Sequence, residues 1–332
     1  MKKIAINGFG RIGRLCYRAL KNRKDLEVVA INDLTDVDTL AHLLEYDSAQ
    51  RRFDAKISTE GGKLVVDGNA IHAYNHQDPS QLPWKEHGVD VVLECTGKLL
   101  SREESEKHLI AGAGRVILSA PPKDPDIPVY VLGVNDGNLK GSDAIISNAS
   151  CTTNCLAVIL CQLEKAFGLR FASMNTIHAY TQDQRLQDAP HKDLRRARAA
   201  AQNIIPTSTG AGRAVELVLP SIKGKLMASS YRVPVISGSL IELLYLPERP
   251  TDIARVNDLF AKAAARSLRG ILEYSEKPLV SSDIIGNPHS AIFDSLLTES
   301  KEAYIRIVAW YDNESGYASR LADLCHKFAT IS

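Results

Sequence analysis

The stretch at 147–155 reads SNASCTTNC, and an apolar run, LAVILCQL, follows directly. Cys151 is the residue there with the most chemistry to offer. The run predicts a helix over 152–167, closed by Gly168 at a C-cap position. The sulfur of Cys151 is then expected at a helix N-terminus, where the macrodipole and free N–H groups favour thiolate over thiol. Its neighbours Ser150, Thr152, Thr153 and Asn154 are hydrogen-bonding residues rather than apolar packing partners. Cys155 and Cys161 fall inside the apolar helix and read as small buried hydrophobes.

A nucleophilic thiol needs a base. Of nine histidines, His178 in NTIHAYTQDQ has the best context, closing a strand-like run and preceding hydroxyl and amide residues. Spacing alone does not choose it. His42, His72, His76, His87, His108 and His326 stand in polar, surface-like stretches, His191 in a basic run, and His289 after an Asn-Pro turn.

A second signal is Gly8-Phe9-Gly10-Arg11-Ile12-Gly13, a G-x-G-x-x-G placed between a strand-like run and an amphipathic one. The first glycine allows the tight turn and the second the approach of a pyrophosphate. The third lets helix pack on strand, while helix N-terminal N–H groups face the anion. Asp33 ends the next strand-like run about 20 residues on, where an acid reads a ribose 2′-hydroxyl. Asp36 and Asp38 add negative charge, and no Arg or Lys follows closely, so a 2′-phosphate is repelled and NAD is expected over NADP.

The elements that must position these groups differ between the two halves. Short apolar runs, at Lys3–Asn7, Leu26–Asn32, Val89–Cys95, Arg115–Ser119, Val129–Gly133 and Ala144–Ser147, alternate with helical patterns such as Arg11–Lys21. That predicts a parallel sheet covered on both faces. The second half carries longer strand patterns, at Arg170–Ala179, Leu226–Val233, Ser239–Tyr245 and Tyr304–Tyr311, and helical runs at Gly212–Leu219, Thr251–Leu268 and Ser319–Ala329. Those predict a mixed, largely antiparallel α+β domain. The basic segment 183–206 reads as a long loop or partial helix, and the boundary is expected near Ser150.

Bulk properties exclude some classes. A net charge of +1 over 332 residues advertises neither nucleic-acid nor anionic-membrane binding. The start, MKKIAINGFGRIG, lacks the apolar core of a signal peptide, and apolar runs are too short to span a bilayer. Six cysteines with no CxxC pair imply reduced thiols, a cytoplasmic setting and no metal site.

Read together, INGFGRIGR, SNASCTTNC, NTIHAYTQDQ, PHKDLRRARAA, PTSTGA, PLVSSD and AWYDNE resemble the phosphorylating glyceraldehyde-3-phosphate dehydrogenases over essentially the whole chain. SCTTNC is the most specific of these motifs. The resemblance implies a Rossmann NAD-binding domain (1–150), a catalytic domain (151–315), and a C-terminal helix (316–332) returning to the first. It implies Cys151 as nucleophile and His178 as acid/base. Thr181 and Arg232 match the site for the substrate's 3-phosphate; Ser150, Thr152, Thr209 and Gly210 match the site for inorganic phosphate; Arg196 of the basic run joins this phosphate-binding set. Gly8, Gly10, Arg11, Ile12, Gly13, Asp33, Thr96, Ser119 and Asn313 match cofactor contacts, with Asn313 beside the nicotinamide. Leu34 and Pro190 match residues that accompany NAD preference. The resemblance further implies a reversible glycolytic or gluconeogenic reaction and a homotetramer joined partly through loop 183–206.

Some positions depart from the family pattern. Ser315 stands for Trp, Val235-Ile236-Ser237 for Thr-Pro-Asn, Lys98-Leu99 for an aromatic-containing pair, and Gln50-Arg51 for His-Gly. Erythrose-4-phosphate dehydrogenase, on the same fold, is the nearest competing activity. An NAD-binding or thiol-redox sensor without turnover is the alternative of another class; the intact set Cys151, His178, Thr181 and Arg232 speaks against it.

Overall fold

A computed structural model describes residues 1–331; Ser332, the last residue of the expected returning helix, lies outside the described residues. The chain divides into two compact units. The first holds Met1–Tyr130, Gly137–Ala149 and the stretch from Ala318; the second holds Val131–Asp136 and Ser150–Tyr317.

The first unit is built on β1 (Lys2–Asn7), β2 (Leu26–Asn32), β3 (Ile57–Glu60), β4 (Lys63–Val66), β5 (Asn69–Tyr74), β6 (Val91–Glu94), β7 (Arg115–Leu118) and β8 (Ile145–Ser147). Their spatial order is β3-β4-β5-β2-β1-β6-β7-β8. The run from β5 through β2, β1, β6 and β7 to β8 is parallel, and β6 and β8 are buried at every residue. Near-continuous apolar strands are what a sheet covered on both faces requires. One edge carries strands outside the expected parallel runs: β3, β4 and β5 form an antiparallel meander. The apolar runs predict no strands here, although glycines mark both turns. Gly61-Gly62 and Asp67-Gly68 all have positive φ, the type I′ geometry that two-residue hairpins prefer.

Four helices belong to this unit's sequence before residue 149: α1 (Arg11–Leu20), α2 (Val37–Glu45), α3 (Trp84–His87) and α4 (Arg102–Ile110). Asp36 caps α2 through Thr39 N–H, and Ser101 with Glu104 forms a capping box on α4. The expected strand at Val129–Gly133 is also corrected. Only an isolated bridge, Val129 to Ser147, forms there. Asn135 Oδ1 accepts from Val131 N–H and Asp136 Oδ1 from Gly133 N–H, so side chains replace the ladder.

The second unit carries β9 (Leu169–Ala179), β10 (Ile205–Thr207), β11 (Leu226–Val233), β12 (Ser239–Pro247), β13 (Leu272–Ser275), β14 (Ala291–Asp294), β15 (Glu299–Lys301) and β16 (Tyr304–Tyr311). The order is β10-β11-β9-β12-β16-β14-β13, with β15 beside β16. Most pairs are antiparallel, but β11–β9 and β13–β14 are parallel. Helices α5 (Cys151–Phe167), α6 (Ala211–Val218) and α7 (Ile253–Ala265) accompany the sheet. α5 is buried along most of its length, as its nearly unbroken apolar sequence demands. Helix α8 (Ser315–Thr330) closes the chain. Past Ala318, Arg23 pairs with Asp323 and Arg115 donates to the carbonyl of Phe328, all within the first unit.

Candidate active site

Cys151 is the first residue of α5. Ser150 is its N-cap: Oγ accepts from Thr153 N–H at 3.2 Å, and its carbonyl accepts from Asn154 N–H at 2.9 Å. The sulfur stands 3.5 Å from His178 Nε2. His178 comes from the covered face of β9, where alternate residues Ala172, Met174, Thr176 and His178 are buried. The parallel pairing of β11 with β9 sets Arg232 directly opposite His178. Register therefore brings a base and a cation together from positions 54 residues apart.

The imidazole has two neighbours at Nδ1. Ala179 O lies 2.7 Å away, and the Arg232 guanidinium approaches both Nδ1 and that carbonyl, the latter at 3.2 Å. With Nδ1–H donated to Ala179, Nε2 presents a lone pair to the thiol. With Arg232 donating to Nδ1, an Nε2–H faces the sulfur. Both tautomers are thus served, as a group that takes and returns a proton requires.

Burial and the Arg232 charge hold the His178 pKa down to about 3, so the ring is neutral near pH 7. Burial pushes the Cys151 thiol up, against the pull of Arg232 and of the Thr152 N–H and hydroxyl. The helix N-terminus was expected to favour thiolate; in this arrangement desolvation outweighs it, and a thiol faces a neutral imidazole. Behind the pair, Tyr311 Oη bridges Thr152 Oγ1 (2.8 Å) and Thr176 Oγ1 (2.9 Å), locking α5 to the sheet. Burial raises the Tyr311 pKa, keeping its proton in the bridge. Sequence reading passed over Tyr311, which there is merely the last apolar residue of a strand.

The expected phosphate contacts are distributed over several loops. Ser150 and Thr152 flank the α5 N-terminus. Gly210 is the N-cap residue of α6, and Thr209 Oγ1 accepts from Ala211 N–H at 3.1 Å. Two helix N-termini thus carry four of the expected contacts, which suits anions. Thr181 opens a turn in which its N–H donates to Gln184 Oε1 at 3.2 Å. Arg196 is engaged with Asp183, with Asp193 at 3.4 Å and with Thr207 Oγ1 at 2.6 Å. The segment around it is turns and one bridge, not a helix, which settles the expected loop or partial helix as a loop.

In the first unit, Gly8, Asp33, Thr96 and Ser119 each lie just beyond the C-terminal end of one strand, β1, β2, β6 and β7 in turn. That is where open α/β sheets bind ligands. A Cβ on Gly8 (φ +88°) would sit 2.6 Å from Thr96 N, and one on Gly13 would sit 2.1 Å from Gly8 O. Those glycines are dictated by packing. Gly10 is not: a Cβ there meets nothing within 4 Å. Its bareness keeps clear the space before α1, which fits a pyrophosphate. Ile12 follows Arg11 in the first turn of α1, and Arg11 is paired with Asp47. Asp33 Oδ2 accepts from Phe9 N–H at 2.8 Å and Oδ1 from Thr35 N–H at 3.0 Å, so it also holds the glycine turn in place. Leu34 beside it is exposed, while Asp36 is spent on capping α2.

Glu94 was not singled out from sequence, though a carboxylate ending the apolar run VDVVLE was a signal. It is fully buried. It accepts from Asn7 (2.6 Å), from His108 (3.1 Å) and from Thr96 N–H (2.8 Å). His108, expected at the surface, is correspondingly corrected to a buried position, with Trp84 Nε1 donating to its Nδ1 at 3.0 Å.

The family profile described as "Glyceraldehyde 3-phosphate dehydrogenase, NAD binding domain" matches residues 2–102, and the one described as "Glyceraldehyde 3-phosphate dehydrogenase, C-terminal domain" matches 150–313. The chain belongs to the glyceraldehyde-3-phosphate dehydrogenase family. Proteins named glyceraldehyde-3-phosphate dehydrogenase resemble it along nearly their whole length. That of Mycobacterium avium is 53% identical over 97% of each chain. Those of Priestia megaterium and Geobacillus stearothermophilus are each 50% identical, over 98% of both chains for the first and 99% and 98% for the second. Membership makes the chain an oxidoreductase with an NAD-binding Rossmann domain and agrees with the expected fold class.

Proposed function

We propose that this protein carries out the NAD-dependent oxidative phosphorylation of D-glyceraldehyde 3-phosphate to 1,3-bisphosphoglycerate, with Cys151 as nucleophile. The observation that carries this reading is the approach of Cys151 Sγ to His178 Nε2 at 3.5 Å, at the N-terminus of α5 and beside Arg232. Family membership and the names of its relatives support the substrate.

Cys151 sulfur attacks the aldehyde carbon as its proton passes to neutral His178; the imidazolium stabilises the oxyanion and delivers that proton to it, giving the neutral hemithioacetal and restoring His178 as a base. NAD, when bound, accepts the hydride of the oxidation. His178 takes the hydroxyl proton of the hemithioacetal in that step, leaving a thioester on Cys151. Inorganic phosphate attacks the thioester carbon, the C–S bond breaks, and 1,3-bisphosphoglycerate departs. Arg232 and Thr181 hold the 3-phosphate of the substrate, a task suited to the planar guanidinium. Ser150, Thr152, Thr209 and Gly210 bind the attacking phosphate. Arg196 joins them by exchanging its aspartate partners for phosphate oxygens.

The unit that begins at Met1 binds the cofactor through Gly8, Gly10, Arg11, Ile12, Gly13, Asp33, Thr96 and Ser119. Asn313 meets the nicotinamide carboxamide. The working form is a cytoplasmic homotetramer; no helix of the chain among the described residues is long and apolar enough to cross a membrane.

The test is NADH formation from NAD and glyceraldehyde 3-phosphate, with and without phosphate, beside erythrose 4-phosphate. Phosphate-dependent turnover of the triose is expected. Turnover of erythrose 4-phosphate without phosphate would replace this reading with the neighbouring activity.

A further inference from the structure

One hydrogen-bond chain in the second unit takes no part in the steps above. Ser239 opens β12 and is fully buried. Its Oγ accepts the N–H of Ala179 at 3.0 Å. The hydroxyl proton is then left for Asn313, whose Oδ1 lies 2.8 Å away. Ser237 Oγ is 3.4 Å from the same Oδ1 but 2.9 Å from Asp312 Oδ1, so its proton goes to the carboxylate. Asp312 is itself fixed, accepting from the N–H groups of Gly286, Glu314 and Ser315.

Asn313 is therefore held by its oxygen. Among the described residues its Nδ2 has no hydrogen-bond acceptor, although the residue is only 6% exposed. A nearly buried amide whose N–H pair is not used inside the fold is a donor kept for a ligand.

We propose that Ser239 is a positioning residue for the cofactor: it fixes the Asn313 amide with its NH2 group outward, toward the carboxamide oxygen of the nicotinamide. The same serine ties that amide to the acid/base residue. Ala179 gives its N–H to Ser239, and its carbonyl accepts from His178 Nδ1 at 2.7 Å. Loss of the Ser239 hydroxyl lets the amide rotate and leaves the Ala179 N–H without its acceptor. The proposal rests on the reading of Asn313 as the nicotinamide contact.

The experiment is calorimetric titration of NAD and of ADP-ribose, which lacks the nicotinamide, into the unaltered protein, Ser239→Ala and Asn313→Ala. Ser239→Ala is expected to weaken NAD roughly three- to tenfold, the size of one neutral hydrogen bond. ADP-ribose affinity stays unchanged, and Asn313→Ala discriminates between the ligands at least as strongly. Equal weakening of both ligands by Ser239→Ala would reduce the serine to a structural role and overturn the proposal. So would discrimination by Asn313→Ala alone. Absence of discrimination in Asn313→Ala would remove the reading of Asn313 itself, and the proposal with it. Should Ser239→Ala fail to fold, Ser239→Cys carries the same comparison, since it keeps a similar volume and supplies a weaker donor.

Discussion

At the scale of single residues, the site is a partly exposed thiol beside a buried, neutral imidazole. Cys151→Ser is expected to lower turnover by on the order of 10³ or more, because an alkoxide is far harder to form than a thiolate. NAD affinity, measured by titration, should be unchanged in that variant; near-normal turnover would exclude the thiol mechanism. His178 adds a pH signature to stability. Its pKa in the fold is about 3, below the ordinary 6.5, so the unfolded chain takes up this proton first as pH falls. The associated stability is intact above pH 6.5 and is lost progressively toward pH 3. Denaturant midpoints followed over that range should fall less steeply for His178→Asn than for the unaltered protein. Parallel curves would mean the imidazole titrates normally in the fold. Sequence context pointed to both residues: Cys151 stands among polar neighbours just before an apolar run, and His178 closes one ahead of hydroxyl and amide residues. It could not bring out Ser239 or Tyr311, whose roles come from cross-strand and helix–sheet contacts that local patterns do not encode.

At the scale of elements, strands and helices whose local and tertiary preferences agree were legible. Leu26–Asn32, Leu226–Val233 and Tyr304–Tyr311 stand at the limits their apolar runs suggest. The segment 129–133 failed because side-chain acceptors three and four residues on compete with a ladder, a contest that apolar content does not reveal. The departure at Gln50-Arg51 has a conformational meaning. Arg51 has φ +66°, a left-handed backbone carried by an arginine where the family pattern has glycine. Arg18 already holds this turn by donating to the carbonyls of Gln50 and Arg51 at 3.5 and 3.2 Å. Arg51→Gly is expected to stabilise the fold by about 0.5–1 kcal/mol, the relief of a left-handed side chain less the entropy of glycine. Thermal unfolding would show it; a lower midpoint would mean that the Arg51 side chain contributes more than the backbone strain costs.

At the scale of the whole molecule, the second unit's sheet is unevenly clothed. Odd-numbered residues of β12 are buried, while Leu244 on the other face is 41% exposed. Met227, Tyr231 and Tyr304 are further exposed large side chains on that face of the sheet, with Ser173 and Arg306 directly across from Leu244. An open sheet face of this kind is the surface that a proposed tetramer needs to cover. Light scattering is expected to give about four times the 36.3 kDa chain mass, and Leu244→Glu to yield smaller species. An unchanged mass in that variant would move the interface elsewhere. The burial pattern of the thiols has a practical outcome as well. Cys16, Cys155, Cys161 and Cys325 are buried, whereas Cys95 and Cys151 are partly exposed. A membrane-permeable alkylating reagent used in living cells would mark those two at once and the other four only as each molecule opens. Mass spectra counting the marks would then read out how often this protein unfolds where it is made.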